Sequence, residues 1–395
     1  MDKSVDRGAQ RRAAPPFLQN AFRPFFLGGA FWAAALVPLW VWEYAGGGFG
    51  PQASLGMVGH AHEMLYGYLA AIICGFSLTA IPNWTGRAPV AGNGLAALFA
   101  LWAAGRVAAL TFDGVIATTI DIAFLFVLAA VAFREVMAGK NWRNLPVVGL
   151  LTLFALSHLL FHFPAYYAAA IRGTFAVAAL LIAVIGGRIV PSFTRNWLAS
   201  INSPHTASMP GPMKVYDKGV IAVLAVALVS WIAAPDAMIT GDLLLLAGLS
   251  QIVRLARWKG FATLAEPLVW SLHAGYAWLG IAAGLIGAGI LWPGNIPASA
   301  GVHAMAAGLI GTMTLAVMTR ASLGHSGRPR SANRVTTLIY VLAHLGAILR
   351  VCAALRGNDL TLLVAGASLW SGAFLLFFIG YAPMLFGSKP PAVSR

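Results

Sequence analysis

Charged residues are scarce in this chain of 395 residues. They make up 10% of it, whereas 59% of the residues are apolar or aromatic, and the mean hydropathy is +0.78. A soluble globular protein carries about 25% charged residues, so lipid must solvate most of this surface. The composition excludes a cytosolic enzyme, a nucleic-acid-binding protein and a secreted disulfide scaffold.

Cysteine and the motifs of soluble enzymes are also missing. Cys74 and Cys352 lie singly in apolar segments, where a thiol behaves as a small hydrophobic group. The sequence has no CxxC pair, no P-loop, no GxGxxG after a strand and no GxSxG. It also lacks the CxxCH pattern of covalent haem attachment, so any haem would be held non-covalently by histidines.

Long apolar runs dominate what is present. A helix that crosses a bilayer core of about 30 Å needs roughly twenty residues, and continuous apolar runs exclude a barrel, which needs alternation. We count twelve runs, at about 24–43, 60–82, 94–111, 115–137, 145–163, 168–191, 217–234, 238–257, 267–291, 298–320, 332–353 and 360–386. The sequence predicts an all-α, polytopic membrane bundle of about twelve helices.

The domain organisation is simple. We expect one transmembrane domain over residues 24–386, with polar tails at 1–23 and 387–395 and a cytoplasmic loop at about 192–216. The formal net charge is +14, but the basic residues lie singly or in pairs between apolar runs, as loop charges do. If both termini are cytoplasmic, no lysine and only Arg106, Arg172, Arg350 and Arg356 fall outside, so the positive-inside rule predicts that orientation.

Three spans end alike. The second, sixth and tenth close with IPNWTGR (81–87), IVPSFTR (189–195) and LAVMTR (315–320). Each has an aliphatic residue followed by Thr and Arg near the predicted inner face. These endings suggest an internal repeat of three four-helix units.

Ionisable residues lie inside several predicted spans, where burial in lipid is costly and each is a functional candidate. Most fall in the outer half of the membrane: His60, His62, Glu63, Arg106, Asp121, His158, His162, Arg172, Asp242, His303 and Arg350. His273 lies deeper in the ninth span, and His325 follows the tenth. Imidazole is the commonest protein ligand of copper and haem iron. Histidines from spans two, five and ten therefore predict a metal or haem site near the outer face.

Helical spacing indicates which of these histidines could bind the same ion. His60 and His62 point about 200° apart, so they would serve two sites on opposite faces, whereas His158 and His162 differ by about 40° and can share an ion. Glu63 shares a helical face with His60 and either orients it, moves protons, or only stabilises the helix N-terminus. Arg106 either binds a haem propionate, pairs with Asp113, or snorkels to the membrane interface.

Several segments resemble the signature blocks of the NnrS family. They are FRPFF (22–26), HAHEMLYGY (60–68), TAIPNWTGR (79–87), IGGRIVPSFTRNW (185–197), LHAGYAWLG (272–280) and HAMAAGLIGTMTLAVMTRASLGHSGR (303–328). Their order along most of the chain makes the resemblance specific. It implies a polytopic protein of the bacterial inner membrane that contains haem b and copper and acts in nitric oxide metabolism, denitrification and nitrosative-stress defence.

The resemblance also implies roles for single residues. His60, His62 and Glu63 match the HxHEM block, His273 matches LHxGYxW, His303 and His325 lie in the last block, and His162 matches the FH of span five. His158, His205 and His344 match no block. Twelve helices with haem and copper also resemble the haem-copper oxidases in architecture, although their adjacent His-His copper pair is absent here.

Together these observations predict a nitric oxide reductase-like oxidoreductase. We expect His60, His62, His162 and His303 as outer ligands, His273 as a deeper ligand, and His325 as a cytoplasmic ligand or a capping residue. Arg106 and Arg172 would bind haem propionates. Glu63, with Asp121 or Asp242, would carry protons, and a quinol or cytochrome would donate electrons. The alternatives are a transporter of a metal, haem or small anion, and a non-catalytic haem protein that binds nitric oxide.

Overall fold

The computed structural model describes residues 11, 13–48, 55–211 and 213–388, and the regular elements within them are all helical. Twelve helices in this part of the chain are long and apolar enough to cross a membrane, which confirms the predicted fold class. They are α1 (Phe22–Tyr44), α2 (Gly56–Thr85), α3 (Gly92–Thr111), α4 (Val115–Ala138), α5 (Trp142–Phe161), α6 (Pro164–Ser200), α7 (Val215–Ala233), α8 (Met238–Ala256), α9 (Pro267–Leu291), α10 (Ala298–His325), α11 (Arg334–Leu355) and α12 (Leu360–Phe386).

One predicted boundary is wrong. The loop expected from residue 192 begins instead at Ile201, because α6 continues through Pro191 to Ser200. A proline removes one backbone hydrogen bond and bends a helix, but the remaining bonds can carry the helix past it. Of the polar residues that suggested a loop, those at 192–200 form the amphipathic end of α6.

Three of the spans contain a π-helical segment. These are Glu63–Leu69 in α2, Ile182–Gly186 in α6 and Ala304–Gly311 in α10. Among the described helices, only these three have one, and they are the same three spans whose sequences end alike. Single π turns are rare and often mark functional positions.

The chain divides into two compact units. Unit 1 consists of the described parts of 1–174, 318–329 and 374–395, and unit 2 consists of the described parts of 175–317 and 330–373. Within unit 1, the Arg23 guanidinium donates to the carbonyls of Leu385 and Gly387, at 2.8 and 2.7 Å. The start of α1 and the end of α12 therefore lie together, on one side of the membrane.

Close glycine contacts join α8 and α9 within unit 2. A Cβ on Gly248 would lie 2.7 Å from the Gly280 carbonyl oxygen, and one on Gly241 would lie 3.1 Å from the carbonyl oxygen of Gly287. Small residues let the two backbones approach this closely, which is the usual basis of helix packing in lipid.

We predict that Gly248→Ala destabilises the protein by about 1–3 kcal/mol, because the added methyl group meets backbone atoms that cannot move aside. Gly284→Ala is the matched control, since a Cβ at Gly284 has nothing within 4 Å. Thermal unfolding in detergent would measure both variants. Equal melting temperatures for the two would contradict the close contact.

Candidate metal centre

Four potential ligands converge near one end of three helices in unit 1. They are His62 near the start of α2, Asp121 near the start of α4, His158 in the last turn of α5, and His162 directly after α5; we call them the His–Asp cluster. Each offers one ligand atom, and these four atoms all lie within 4.8 Å of one another. No other group of three or more such ligands occurs among the residues that the structure describes.

Asp121 Oδ2 is the centre of the His–Asp cluster. It lies 2.8 Å from His62 Nε2, 3.1 Å from His158 Nε2 and 3.4 Å from His162 Nε2. The Nε2 atoms of His62 and His158 are 3.1 Å apart. His162 has the most exposed side chain of the four, with 24% of it exposed, compared with 9% for His62.

Local structure explains how the two histidines of α5 meet one carboxylate. His158 and His162 are four residues apart and so lie on one helical face. Their ring centroids are 5.4 Å apart. Helix α5 ends at Phe161, before Pro164, and His162 keeps near-helical backbone angles there. The tip of α5 therefore presents both imidazoles to the start of α4.

A hydrogen bond to Glu63 defines which nitrogen of His62 carries its proton. His62 Nδ1 lies 2.8 Å from Glu63 Oε1, and a carboxylate at this distance accepts the Nδ1 proton. Neutral His62 then has its lone pair on Nε2, facing Asp121 Oδ2. Two acceptors 2.8 Å apart repel each other unless a proton or a cation lies between them. A carboxylate that holds the distal nitrogen is the usual support of a metal-bound histidine.

Arg106 joins the two carboxylates behind the histidines. One of its terminal nitrogens contacts both Glu63 oxygens at 2.9 Å, and the other contacts Asp121 Oδ1. Trp32 Nε1 donates to Glu63 Oε2 at 2.8 Å. Counted with neutral imidazoles, two carboxylates against one guanidinium leave one net negative charge in this buried group. A bound cation, or a proton on one histidine, would cancel that charge.

The donor set fits a single metal ion and does not fit a haem. Ligands about 2.0–2.2 Å from a tetrahedral ion lie roughly 3.3–3.6 Å apart. The three imidazole nitrogens lie 2.8–3.4 Å from Asp121 Oδ2, and the four ligand atoms all lie within 4.8 Å of one another, which brackets this spacing. A porphyrin brings four coplanar nitrogens and needs only one or two protein ligands, on opposite faces. Four protein ligands around one point leave no plane for it.

Comparison with known protein families shows to which family the chain belongs. The sequence model of the NnrS family, described as NnrS protein, matches residues 16–389. The chain belongs to the NnrS family. No curated protein and no solved structure matches it. Membership confirms the resemblance of the signature blocks and supports a membrane protein related to nitric oxide, for which metal or haem binding is suggested.

Some of the NnrS signature residues of unit 1 lie in the His–Asp cluster, and others do not. His62 and His162 enter the His–Asp cluster. His60 does not, because it points elsewhere and stacks on Trp40, with ring centroids 4.2 Å apart. This agrees with the divergence expected for residues two apart. Glu63 contacts His62 directly, so its role is not confined to the helical face that it shares with His60.

The remaining predicted residues lie outside the cluster. In unit 1, Arg106 pairs with Glu63 and Asp121 and not with Asp113. Arg172 is half-buried in α6, and the His325 ring lies 5.6 Å from that of Phe22.

Two further predicted ligands, His273 and His303, belong to unit 2. His273 Nε2 lies 2.7 Å from Thr194 Oγ1, and His303 Nδ1 lies 2.8 Å from the Ser299 carbonyl oxygen. Asp242 is also in unit 2 and is exposed.

Asp121 and His158 are the members of the His–Asp cluster that family blocks did not indicate. The helical spacing of His158 and His162 was the available signal for one. For Asp121, the signal was a carboxylate placed six residues inside an apolar span, a position that suggests part of a proton path. Its position among three imidazoles depends on which helices are neighbours, and a single sequence does not contain that information.

We predict that alanine at any of the four cluster positions lowers metal affinity at least about tenfold, since a ligand removal should exceed the effect of losing an outer hydrogen bond. Co²⁺ titration of the purified protein, followed by its visible absorption bands, measures this. His60→Ala is the matched control on the same helix. Loss of Co²⁺ binding in His60→Ala with full binding in His158→Ala would contradict the assigned cluster.

Glu63→Gln should weaken Co²⁺ binding by about 10–100-fold, because an amide no longer fixes the proton of His62 on Nδ1 as a carboxylate does. Glu135→Gln is the control. Glu135 is an equally buried carboxylate of unit 1, near the other end of α4, and pairs with Arg87 at 2.7 Å. Equal affinities of the two variants would exclude the proposed support of His62.

Proposed function

We propose that this member of the NnrS family binds copper at the His–Asp cluster and reduces nitric oxide there. The observation that carries the proposal is the arrangement around His62. Glu63 holds its Nδ1, while its Nε2 converges with two further imidazoles and a carboxylate. Family membership supplies the connection with nitric oxide.

Copper suits this donor set better than the other common ions. Imidazole nitrogens bind Cu, Zn, Fe and Ni, and copper has the highest affinity among the divalent ions of the series. Zinc is redox-inert and cannot pass electrons to a substrate. Cu⁺ would cancel the single negative charge counted for the buried groups, so the reduced centre would be electrically neutral within its apolar surroundings.

The overall reaction is 2 NO + 2 H⁺ + 2 e⁻ → N₂O + H₂O. One N–N bond forms, one N–O bond breaks, and the released oxygen leaves as water. Bound copper would supply the one-electron chemistry. The two electrons would come from a quinol or a cytochrome, and the reductant in the test below replaces that donor.

The chain's own residues would admit the substrate and hold the ligands. Nitric oxide is small and uncharged, so apolar helices and lipid do not exclude it. His162 marks the open edge of the cluster, and the Phe161 ring lies 5.2 Å from that of His62 on the apolar side. Arg106 keeps Glu63 and Asp121 oriented, and Glu63 Oε1 is the carboxylate atom next to the His62 Nδ1 proton.

Placement in the bacterial inner membrane with both termini in the cytoplasm is part of the proposal. The contact of Arg23 with the end of α12 supports termini on one side. Haem b is the second predicted cofactor. Since the His–Asp cluster does not fit a porphyrin, a haem would need ligands elsewhere, and no step of the proposed reaction is assigned to it.

The test is anaerobic turnover of the copper-loaded protein in lipid nanodiscs, with ascorbate and a mediator as the electron source. We predict one N₂O for every two NO consumed, measured by gas chromatography and an NO electrode. The rate in His158→Ala should fall to that of empty nanodiscs, whereas His60→Ala should retain it. Stoichiometric NO binding without N₂O would contradict reduction and favour a binding protein. Copper movement across vesicles without NO consumption would favour a transporter.

A further inference from the structure

The ring of Tyr66 stacks on the imidazole of His158, a member of the His–Asp cluster. The two ring centroids are 4.1 Å apart, and the ring planes are inclined by only 15°. Both side chains are buried. The contact of Tyr66 with His62 is different, since those ring centroids are 5.5 Å apart and the planes are inclined by 57°. Tyr66 therefore presents its flat face to His158.

Hydrogen bonding fixes one side of the His158 ring and leaves the other side without support. Its Nε2 lies 3.1 Å from Asp121 Oδ2. Its Nδ1 is buried and has no hydrogen-bond partner among the described residues, whereas Nδ1 of His62 is held by Glu63. A metal-bound histidine usually has a group at its second nitrogen that fixes the ring. For His158, the parallel ring of Tyr66 takes the place of that group.

Tyr66 is itself held in place by its hydroxyl group. The hydroxyl donates to the Ser157 carbonyl at 3.2 Å, and its oxygen lies 2.8 Å from Thr174 Oγ1. Ser157 directly precedes His158, so Tyr66 is bonded to the backbone of α5 beside the imidazole on which it stacks. These bonds occupy the hydroxyl, and the ring is the part of Tyr66 that acts on His158.

The face of a phenol ring carries partial negative charge and attracts positive charge placed over it. An imidazole that binds a metal ion gives electron density to the ion and becomes partly positive. The effect is larger for a divalent ion than for a monovalent ion. Because both rings are buried, water screens this attraction only weakly. The stack should therefore favour the metal-bound state of His158, and the divalent ion most of all.

We propose that Tyr66 is a positioning residue of the copper centre. Its ring holds the plane of His158 with Nε2 towards Asp121, and it favours Cu²⁺ over Cu⁺, although Tyr66 supplies no ligand atom. The inference rests on the proposed ligand role of His158 and adds a residue that sets the reduction potential of the centre.

Tyr68 provides a matched control. It lies in the same π segment as Tyr66, Glu63–Leu69, and is equally buried. Its ring meets the edge of Phe374, at a centroid distance of 5.1 Å and an angle of 83°. Loss of either tyrosine removes a buried ring from one segment, but only the loss of Tyr66 removes the stack on His158.

The first test is Co²⁺ titration of the purified, metal-depleted full chain. Tyr66→Leu should lower the affinity about tenfold, because the ring face is lost. Tyr66→Phe keeps the ring and should stay within about twofold of the parent, as should Tyr68→Leu. In a His158→Ala background, Tyr66→Leu should have no further effect, since the ring acts through His158. Thermal unfolding in detergent shows whether each variant is folded.

The second test is a mediated redox titration of the copper-loaded chain. Tyr66→Leu should weaken Cu²⁺ binding about tenfold more than Cu⁺ binding, which raises the one-electron midpoint potential by about 59 mV. Tyr66→Phe and Tyr68→Leu should keep the potential of the parent. A residue that only fills space would weaken the binding of both ions equally and leave the potential unchanged.

Equal Co²⁺ affinity and equal potential in folded Tyr66→Leu and the parent would overturn the proposal. So would changes in Tyr66→Phe as large as those in Tyr66→Leu, which would assign the effect to the hydroxyl. Neither measurement depends on turnover. If the parent forms no N₂O but its Co²⁺ affinity and copper potential respond to Tyr66→Leu, the proposed reaction is wrong and the role of Tyr66 stands. A parent that binds neither metal would overturn both.

Discussion

The pairing of Arg106 with Glu63 and Asp121 is the interaction on which the candidate metal centre depends. Each of these charges would cost several kcal/mol to bury alone. Arg106 contacts both carboxylates, and removal of one partner from a buried pair typically costs about 3–5 kcal/mol. The guanidinium therefore keeps two carboxylates ionised in an apolar bundle. One of them then fixes the proton of His62, and the other lies among the three imidazoles.

Much of the fold and part of this centre could be predicted from the sequence. Apolar runs gave the twelve spans, because lipid allows few alternatives to helices. Helical spacing separated His60 from His62 and joined His158 to His162. The direct bond from Glu63 to its neighbour His62 was not predicted, because a π segment begins at Glu63 and changes the helical register there. Periodicity arguments assume a regular helix, and a single sequence does not show such a change.

The net charge of the buried side chains bears on which ion would suit the His–Asp cluster. With three neutral imidazoles and one uncancelled carboxylate, the proposed copper would be neutral in its reduced state and would carry one positive charge in its divalent state. A centre that changes charge inside an apolar bundle changes its electrostatic energy with each electron. The open edge at His162 and the surrounding polar groups would have to compensate for that change. This is a reason for a redox ion to lie near the end of its helices and not at the membrane midplane.

Helices α2 and α10 share one local structure, in which a π segment begins directly after a histidine, His62 in α2 and His303 in α10. A π segment after a histidine, with an indole bonded to a carbonyl of that segment, holds the imidazole but supplies one ligand only. What the histidine binds then depends on neighbouring helices. In unit 1, α4 and α5 complete a set of four ligands for a lone ion. In unit 2 no group of three or more potential metal ligands accompanies His303 among the described residues. The same local structure therefore has different surroundings in the two units, and the difference lies in Asp121, His158 and His162.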